Sequence, residues 1–134
     1  MRGRFRTAAL VCSMSVASFA VASDLTGRAS IIDGDTLEIR GSLIRLWGID
    51  APEHDQLCRG ADSTPYHCGA KAANKLDRFI VGRPVSCSRV ATDRHRRTVA
   101  VCSVDGVDLA GWLVSQGHAL DWPRFSTAKY RNQQ

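Results

Sequence analysis

The sequence predicts a small α+β barrel made of four or five short strands and two helices. Three observations support this fold class. Apolar residues alternate along several short stretches, two other stretches repeat apolar residues at helical spacing, and glycine-containing turns separate them. At 134 residues the chain fits one domain, and it contains no internal repeat or low-complexity tract.

The first half of the chain predicts a pair of strands and a polar exit from the sheet. Residues 31–32 and 36–40 are typical of strands, and a return strand is expected over residues 43–49. Gly41 followed by Ser42 predicts a type II′ hairpin turn, which needs glycine at its first position. The polar stretch beyond the return strand is expected to be irregular.

The second half predicts two helices and a second pair of strands. Apolar residues at helical spacing favour a helix over residues 69–81. Strands are expected over residues 85–90 and 98–104, joined by a polar loop. A short helix over residues 109–116 follows, with Asp108 as its N-terminal cap.

Residues 1–22 have the pattern of a secretion signal. Three arginines precede an uncharged apolar stretch that ends in Ala-Val-Ala, the small-x-small pattern of a cleavage site. The apolar stretch is about 16 residues long, which is short against the roughly 20 of a membrane-spanning helix. We therefore expect a mature domain over residues 23–134 that is secreted or periplasmic; the alternative is an uncleaved N-terminal anchor.

Charge is divided between the two halves of the expected mature chain. The 18 Lys and Arg residues, less the three leader arginines, leave 15 basic against 13 acidic residues, a net charge of +2. Residues 24–62 hold eight acids and four arginines, whereas residues 63–134 hold eleven bases and five acids. This segregation suggests a bound cation on one side and an anionic ligand on the other.

Four of the five cysteines remain after the leader, an even number in an exported protein. Four cysteines allow three pairings. A hairpin centred between residues 94 and 95 would place Cys87 opposite Cys102, and Cys58 with Cys68 would close a short loop. These two disulfides are therefore favoured, and the cysteine spacings do not suit a zinc site.

Two acidic motifs are candidates for a metal site. Asp33 and Asp35 flank Gly34, and Asp50 and Glu53 lie where the return strand ends. Several carboxylate oxygens are what hard divalent cations require. The alternative is that these motifs are a solvated turn and a polar strand exit.

Two basic features are candidates for binding an anion. Arg45 lies within a strongly apolar strand, where a cation is costly unless it holds an anion or faces solvent. Residues 93–97, Asp-Arg-His-Arg-Arg, suit a phosphate clamp because arginine offers paired donors to phosphate oxygens. The alternatives are an arginine on the outer sheet face and a solvated hairpin tip.

The order of these motifs resembles the thermonuclease (staphylococcal nuclease-like) family. Asp-Gly-Asp-Thr at residues 33–36, then Arg45, Asp-x-Pro-Glu at 50–53 and Asp-Arg-x-x-Arg at 93–97 follow the family's order. The likeness extends from about residue 29 to about residue 121. It implies a five-stranded barrel like an OB-fold, and a calcium-dependent phosphodiesterase acting on DNA and RNA.

The resemblance also implies a role for each residue of the site. Asp35, Asp50 and the backbone carbonyl of Ala51 would bind Ca²⁺ directly, with Asp33 nearby through water. Glu53 would be the general base, and Arg45 and Arg97 would hold the scissile phosphate. The residues expected to line the nucleotide pocket are Asp93, Arg94 and His95. Products would carry 3′-phosphate ends.

The chain departs from the family pattern at several positions. Arg96 replaces a common glycine and is expected to adopt ordinary backbone geometry, and Ala51 replaces a common threonine. The family's usual C-terminal helix is expected to be missing or truncated after about Tyr130. The expectation is a monomer that does not contact membrane after signal cleavage. The alternatives to a nuclease are a non-catalytic nucleic-acid-binding barrel and a metal-binding domain with another anionic substrate.

Overall fold

A computed structural model describes residues 25–134, so the expected signal peptide lies outside the described residues. The strands are β1 (Leu25–Gly27), β2 (Ala29–Asp33), β3 (Thr36–Ile39), β4 (Ser42–Leu46), β5 (Ile49–Asp50), β6 (Cys58–Arg59), β7 (Pro65–Tyr66), β8 (Val85–Thr92), β9 (Thr98–Val104), β10 (Val107–Asp108) and β11 (Leu120–Asp121). The helices are α1 (Cys68–Ile80), α2 (Leu109–Ser115) and α3 (Pro123–Ser126), followed by a 3₁₀ turn over Arg131–Gln133.

The main sheet closes into a barrel because β1 and β2 act as one bent strand. Only Arg28 separates them; β1 pairs with β8 and β2 pairs with β3. The neighbours around the sheet are then β2, β3, β4, β9, β8 and β1, with β4 and β9 parallel. Counting the bent strand once gives five strands, so the predicted OB-fold-like barrel is confirmed.

The first hairpin is shifted by one residue from its prediction. Ile39 pairs with Ser42, so the turn consists of Arg40 and Gly41, with φ angles of 50° and 78°. Two positive φ angles define a type I′ turn, and the predicted type II′ turn at Gly41–Ser42 is wrong. Both registers keep Leu37 and Ile39 on the core face, because they differ by two residues and the side-chain period of a strand is also two.

Both favoured disulfides are present. Cys87 pairs with Cys102 in the β8–β9 register as the hairpin symmetry predicted, although a bulge between Arg89 and Ala91 shifts the register nearer the tip. Cys58 joins Cys68, which ties β6 to the first residue of α1. The second disulfide therefore fixes the loop that follows the predicted Asp-x-Pro-Glu motif.

The core lies inside the barrel and beneath α1 and α2. Leu76 and Ile80 of α1 and Leu109 and Leu113 of α2 are buried against the inward residues of the strands. Asp108 caps α2 by accepting a hydrogen bond from Ala110 N, as predicted. The two predicted helices are thus present, each within one residue of its predicted ends.

The C-terminal segment adds two helical turns that the sequence did not predict, α3 and the 3₁₀ turn. Tyr130 between them is 1% exposed, and its hydroxyl donates to Asp108. Burial and this carboxylate raise the pKa of Tyr130. Within residues 25–134, no helix is both long and apolar enough to cross a membrane.

Candidate active site

The β2–β3 turn carries two of the predicted acids into a tightly packed corner. Asp33 ends β2, and Gly34 and Asp35 form the turn. A Cβ atom on Gly34 would lie 2.9 Å from Ala72 Cβ of α1 and 3.0 Å from Ala51 Cβ. Glycine is therefore required between the two acids, because it lets the turn, the helix and the strand exit meet.

Asp35 is the buried carboxylate of the site, with 3% of the residue exposed. Its Oδ2 accepts a hydrogen bond from Ala51 N at 3.0 Å, and its Oδ1 accepts one from Thr36 Oγ1 at 3.0 Å. Burial raises its pKa, Arg45 and these hydrogen bonds oppose the rise, and nearby Asp50 adds to it. This carboxylate therefore fixes Ala51 and Asp50 relative to β3.

Arg45 lies between the two predicted metal-binding carboxylates. Its Nη1 is 3.3 Å from Asp35 Oδ2 and its Nη2 is 3.2 Å from Asp50 Oδ1. Its side chain is 16% exposed, so the alternative of a solvated arginine on the outer face is wrong. One guanidinium thus reaches both Asp35 and Asp50, which places these two acids at a single site.

Glu53 lies on the exposed loop beside this corner and is held there through its backbone. Asp33 Oδ1 accepts a hydrogen bond from His54 N at 2.8 Å. Partial loss of hydration raises the pKa of Glu53, the Asp33 and Asp35 charges raise it further, and Arg45 and Arg97 oppose the rise. Glu53 therefore lies within electrostatic range of these four predicted site residues.

Gly69 brings the Glu53 backbone against the start of α1. A Cβ atom on Gly69 would overlap the carbonyl oxygen of Glu53 and lie 2.6 Å from its carbonyl carbon. Gly69 N also donates to Gln56 O at 3.3 Å. The position of Glu53 consequently depends on Gly69, for which the sequence predicts no role beyond the start of a helix.

Arg97 approaches the same corner from the β8–β9 loop. Its Nη1 is 3.5 Å from Thr36 Oγ1, and its Nε donates to Asp93 Oδ2 at 2.7 Å. Partial burial alone would raise the pKa of Asp93. The hydrogen bonds and the positive charge of Arg97 outweigh that effect, so the pKa of Asp93 is lowered. Arg97 lies directly before β9, and Val99 of β9 pairs with Arg45 of the parallel strand β4. The pairing of these two strands therefore brings the two arginines to the same end of the sheet.

The remaining predicted residues of the loop make hydrogen bonds within the loop itself. Arg94 and His95 are exposed, and Arg94 Nε is 3.1 Å from His95 Nε2. Asp93 Oδ1 accepts hydrogen bonds from His95 N and Arg97 N, which makes it a positioning residue for the loop. Substrate binding by these three residues stays a prediction, as do the individual roles assigned to the other site residues.

Arg96 keeps the backbone conformation that a glycine would favour. Its φ is 64°, and its N–H donates to Asp93 O at 3.0 Å within the turn. The expectation that Arg96 adopts ordinary geometry is wrong, and the turn that holds it is closed by hydrogen bonds that Asp93 accepts from the backbone N–H groups of His95 and Arg97. A non-glycine residue in the left-handed region costs roughly 1–2 kcal/mol.

We therefore expect Arg96→Gly to raise the free energy of unfolding by about 1 kcal/mol, since relief of this strain exceeds the added chain entropy of glycine. Urea unfolding followed by tryptophan fluorescence measures the change. Arg96→Ala is the matched control, because it removes the charge but keeps the Cβ atom. An equal gain for both variants would show that charge, and not backbone strain, is responsible.

Thr36 and Trp122 belong to the site but had no predicted role. Thr36 Oγ1 joins Asp35 to Arg97, and the Trp122 ring lies 5.8 Å from the Arg45 guanidinium. The position of Thr36 in the Asp-Gly-Asp-Thr motif was an available signal. Trp122 lies 77 residues from Arg45 in sequence, and nothing local in the chain connects the two.

Two carboxylates of the site converge, although they do not form a complete metal-binding group. Within residues 25–134, no group of three or more His, Cys, Asp or Glu side chains is placed to bind a metal. Asp35 and Asp50 nevertheless converge on one positive group, and their mutual repulsion is one cause of the raised pKa of Asp35. Two carboxylates and a backbone carbonyl suit Ca²⁺ if water or substrate oxygens complete its coordination.

Comparison with known proteins agrees with this arrangement. The staphylococcal nuclease homologue family (SNase) matches residues 43–134. The chain is also 44% identical over 105 residues to the "Succinoglycan biosynthesis protein ExoI" of Rhizobium meliloti (strain 1021). That alignment covers 75% of this chain and 53% of the relative, so the chain spans about half the relative's length. Given the family match and the barrel that carries the acids and arginines, the chain belongs to the staphylococcal nuclease homologue family.

Proposed function

We propose that this protein is an exported, calcium-dependent nuclease that hydrolyses phosphodiester bonds of DNA and RNA and leaves 3′-phosphate ends. The observation that carries the proposal is that Arg45 and Arg97 both reach the buried Asp35–Thr36 corner and that the charges of both arginines act on the pKa of Glu53. Two guanidiniums and a carboxylate near one point are what water attack on a phosphodiester requires.

Arg45 and Arg97 would bind the scissile phosphate from two sides. Both are anchored by carboxylates, Arg45 by Asp35 and Asp50 and Arg97 by Asp93, so their donors are held in place before substrate arrives. Negative charge grows on the non-bridging oxygens as water adds to phosphorus. Preorganised donors stabilise that charge more than the charge of the ground state, which accelerates the reaction.

Glu53 would act as the general base. Its raised pKa favours proton uptake, and its exposure leaves room for a water molecule. The water oxygen forms a bond to phosphorus while Glu53 takes its proton. The bond from phosphorus to the 5′-oxygen then breaks and that oxygen takes up a proton from solvent water, leaving a 3′-phosphate and a 5′-hydroxyl.

Asp35, Asp50 and the Ala51 carbonyl would hold Ca²⁺, with Asp33 contributing through water. The cation would supply Lewis-acid stabilisation of the phosphate and offset the repulsion between these acids and a nucleic acid. Arg45 donors now paired with Asp35 and Asp50 would become available to phosphate when a cation shares those carboxylates.

We also propose that residues 1–22 direct export and that residues 23–134 are the working domain, a monomer in the periplasm or outside the cell. The two disulfides support export, because such bonds persist in oxidising compartments. The relative's printed name concerns succinoglycan biosynthesis, and a polysaccharide is therefore a useful control substrate in the assay below.

Digestion with and without Ca²⁺ tests the proposal. We expect single-stranded DNA and RNA to be cut in Ca²⁺, cutting to fall at least about 100-fold in excess chelator, and added Ca²⁺ to restore it. Gel analysis of end-labelled oligonucleotides measures the rates. Cutting that continues in chelator would contradict the calcium proposal. Binding without any product would favour the alternative of a non-catalytic nucleic-acid-binding barrel.

A further inference from the structure

A groove opens beside the proposed catalytic site, on the side of Asp50 and Ala51. Its volume is about 380 Å³, within the roughly 300–1,000 Å³ of ligand pockets. Asp50 and Ala51 form one end, and the wall beyond them includes Tyr66, Lys71, Gln116 and His118. Nothing in the proposed mechanism uses these four side chains.

The groove has the two features that single-stranded nucleic acid needs. Tyr66 is 41% exposed and offers a flat ring for stacking. Lys71 Nζ lies 5.5 Å from the centre of that ring and offers a cation for phosphate. Among the described residues that line the groove, Asp50 at the catalytic end is the only carboxylate.

Positive charge continues from the groove along α1. Lys71 also lines a second depression of about 320 Å³, whose wall includes Lys75 and Arg78 and, among residues 25–134, no acidic residue. Spacings of three and four residues place these three cations on one helix face. Their field reaches the groove: burial lowers the pKa of His118, and the charges of Lys71 and Lys75 lower it further.

The groove is also fixed relative to the catalytic corner. The Cys58–Cys68 disulfide joins β6, which pairs with the strand of Tyr66, to the first residue of α1. Gly69 packs the same end of α1 against Glu53. A ligand held by Tyr66 and Lys71 is thereby positioned with respect to the proposed general base.

We propose that Tyr66, Lys71, Lys75 and Arg78 form a binding track for one strand of nucleic acid extending from the scissile phosphate. This inference rests on the proposed nuclease function. An unpaired base stacks on Tyr66, and successive phosphates pass Lys71, Lys75 and Arg78. A single strand fits better than a duplex, because stacking on a side chain needs a base that is not enclosed in a helix.

Length-dependent binding and cleavage test the track. The substrates are a thymidine dinucleotide, which reaches the catalytic corner only, and a single-stranded oligothymidylate of about twelve nucleotides. The variants are Tyr66→Ala, Tyr66→Phe and the double variant Lys71→Gln/Lys75→Gln. Arg131→Gln removes an exposed cation elsewhere and is the matched control. Thermal unfolding establishes that each variant is folded.

We expect the double variant to raise KM for the longer strand about tenfold and to reduce the slope of log Kd against log salt by about 1.4, since each phosphate contact contributes about 0.7. Tyr66→Ala should weaken binding about tenfold, and Tyr66→Phe should retain it. Dinucleotide cleavage should stay unchanged in every variant. Arg131→Gln should behave as the unchanged protein does.

The remaining outcomes separate the two proposals. Cleavage by the unchanged protein, with no loss of affinity or salt slope in the track variants, would overturn the track alone. The oligothymidylate annealed to its complementary strand serves as the duplex, and an equal loss of affinity for duplex and single strand in the track variants would overturn the single-strand assignment. Track-dependent binding without cleavage would support the track and refute the nuclease. A protein that neither binds nor cleaves would overturn both proposals.

Discussion

Replacing Glu53 by glutamine is expected to lower kcat by about 10²–10⁴-fold while leaving affinity for an oligonucleotide nearly unchanged. The amide has the size of the carboxylate but cannot accept the proton of the attacking water. Ground-state binding depends on Arg45 and Arg97, which keep their carboxylate partners in this variant. Single-turnover cleavage measures the rate, and fluorescence anisotropy measures Kd.

Asp55→Asn is the matched control for this variant. It makes the same carboxylate-to-amide change two residues further along the same exposed loop, and Asp55 has no proposed role. We expect this control to keep its full kcat. An equal loss of rate in both variants would indicate a general effect of loop charge. A Glu53→Gln enzyme with full activity would remove Glu53 from the mechanism.

Replacing Gly69 by alanine is expected to reduce kcat about 100-fold, because displacement of a catalytic group by about 1 Å has effects of that size. The new Cβ atom would overlap the Glu53 carbonyl, which is backbone and cannot rotate away. Helix propensity alone predicts the opposite outcome for stability, since alanine is favoured over glycine inside a helix by about 1 kcal/mol. A fall in the free energy of unfolding would therefore confirm the close approach.

Gly111→Ala is the corresponding control in α2. Its added Cβ atom would meet the flexible end of the Gln133 side chain at 3.3 Å, which can move aside. We expect nearly full activity from this variant and a free energy of unfolding equal to that of the unchanged protein or higher by up to about 1 kcal/mol, because alanine is the better helix former. Full activity in Gly69→Ala, measured beside this control, would show that the loop tolerates displacement of Glu53.

The parts of the fold that local patterns determine could be predicted from the sequence. Side-chain alternation and hairpin symmetry placed Cys87 opposite Cys102, and helical spacing placed α1 and α2 within one residue. The predicted position of the first turn was one residue too late in the chain, because glycine suits type I′ and type II′ turns alike. Side-chain alternation does not choose between them either, because both turns keep Leu37 and Ile39 of β3 on the core face.

The site was predictable as a set of residues but not as a set of contacts. The motifs identified the acids and arginines, yet the position of Arg45 between Asp35 and Asp50 required knowing how β3, β4 and β5 lie together. The approach of Gly69 to Glu53 likewise depends on packing between distant segments. The left-handed conformation of Arg96 was not predicted, because arginine in place of glycine was expected to change the backbone conformation. Hydrogen bonds to Asp93 on both sides of Arg96 accompany the left-handed conformation instead.

The central claim is that a water molecule beside Glu53 attacks phosphorus and expels the 5′-oxygen. Cleavage of a single-stranded oligonucleotide in ¹⁸O-labelled water, with mass spectrometry of both fragments, tests it most directly. The mechanism predicts fragments ending in a 3′-phosphate that carries one ¹⁸O atom per cleavage, and partner fragments with an unlabelled 5′-hydroxyl. Fragments with a 5′-phosphate, or a 3′-phosphate without the label, would contradict it.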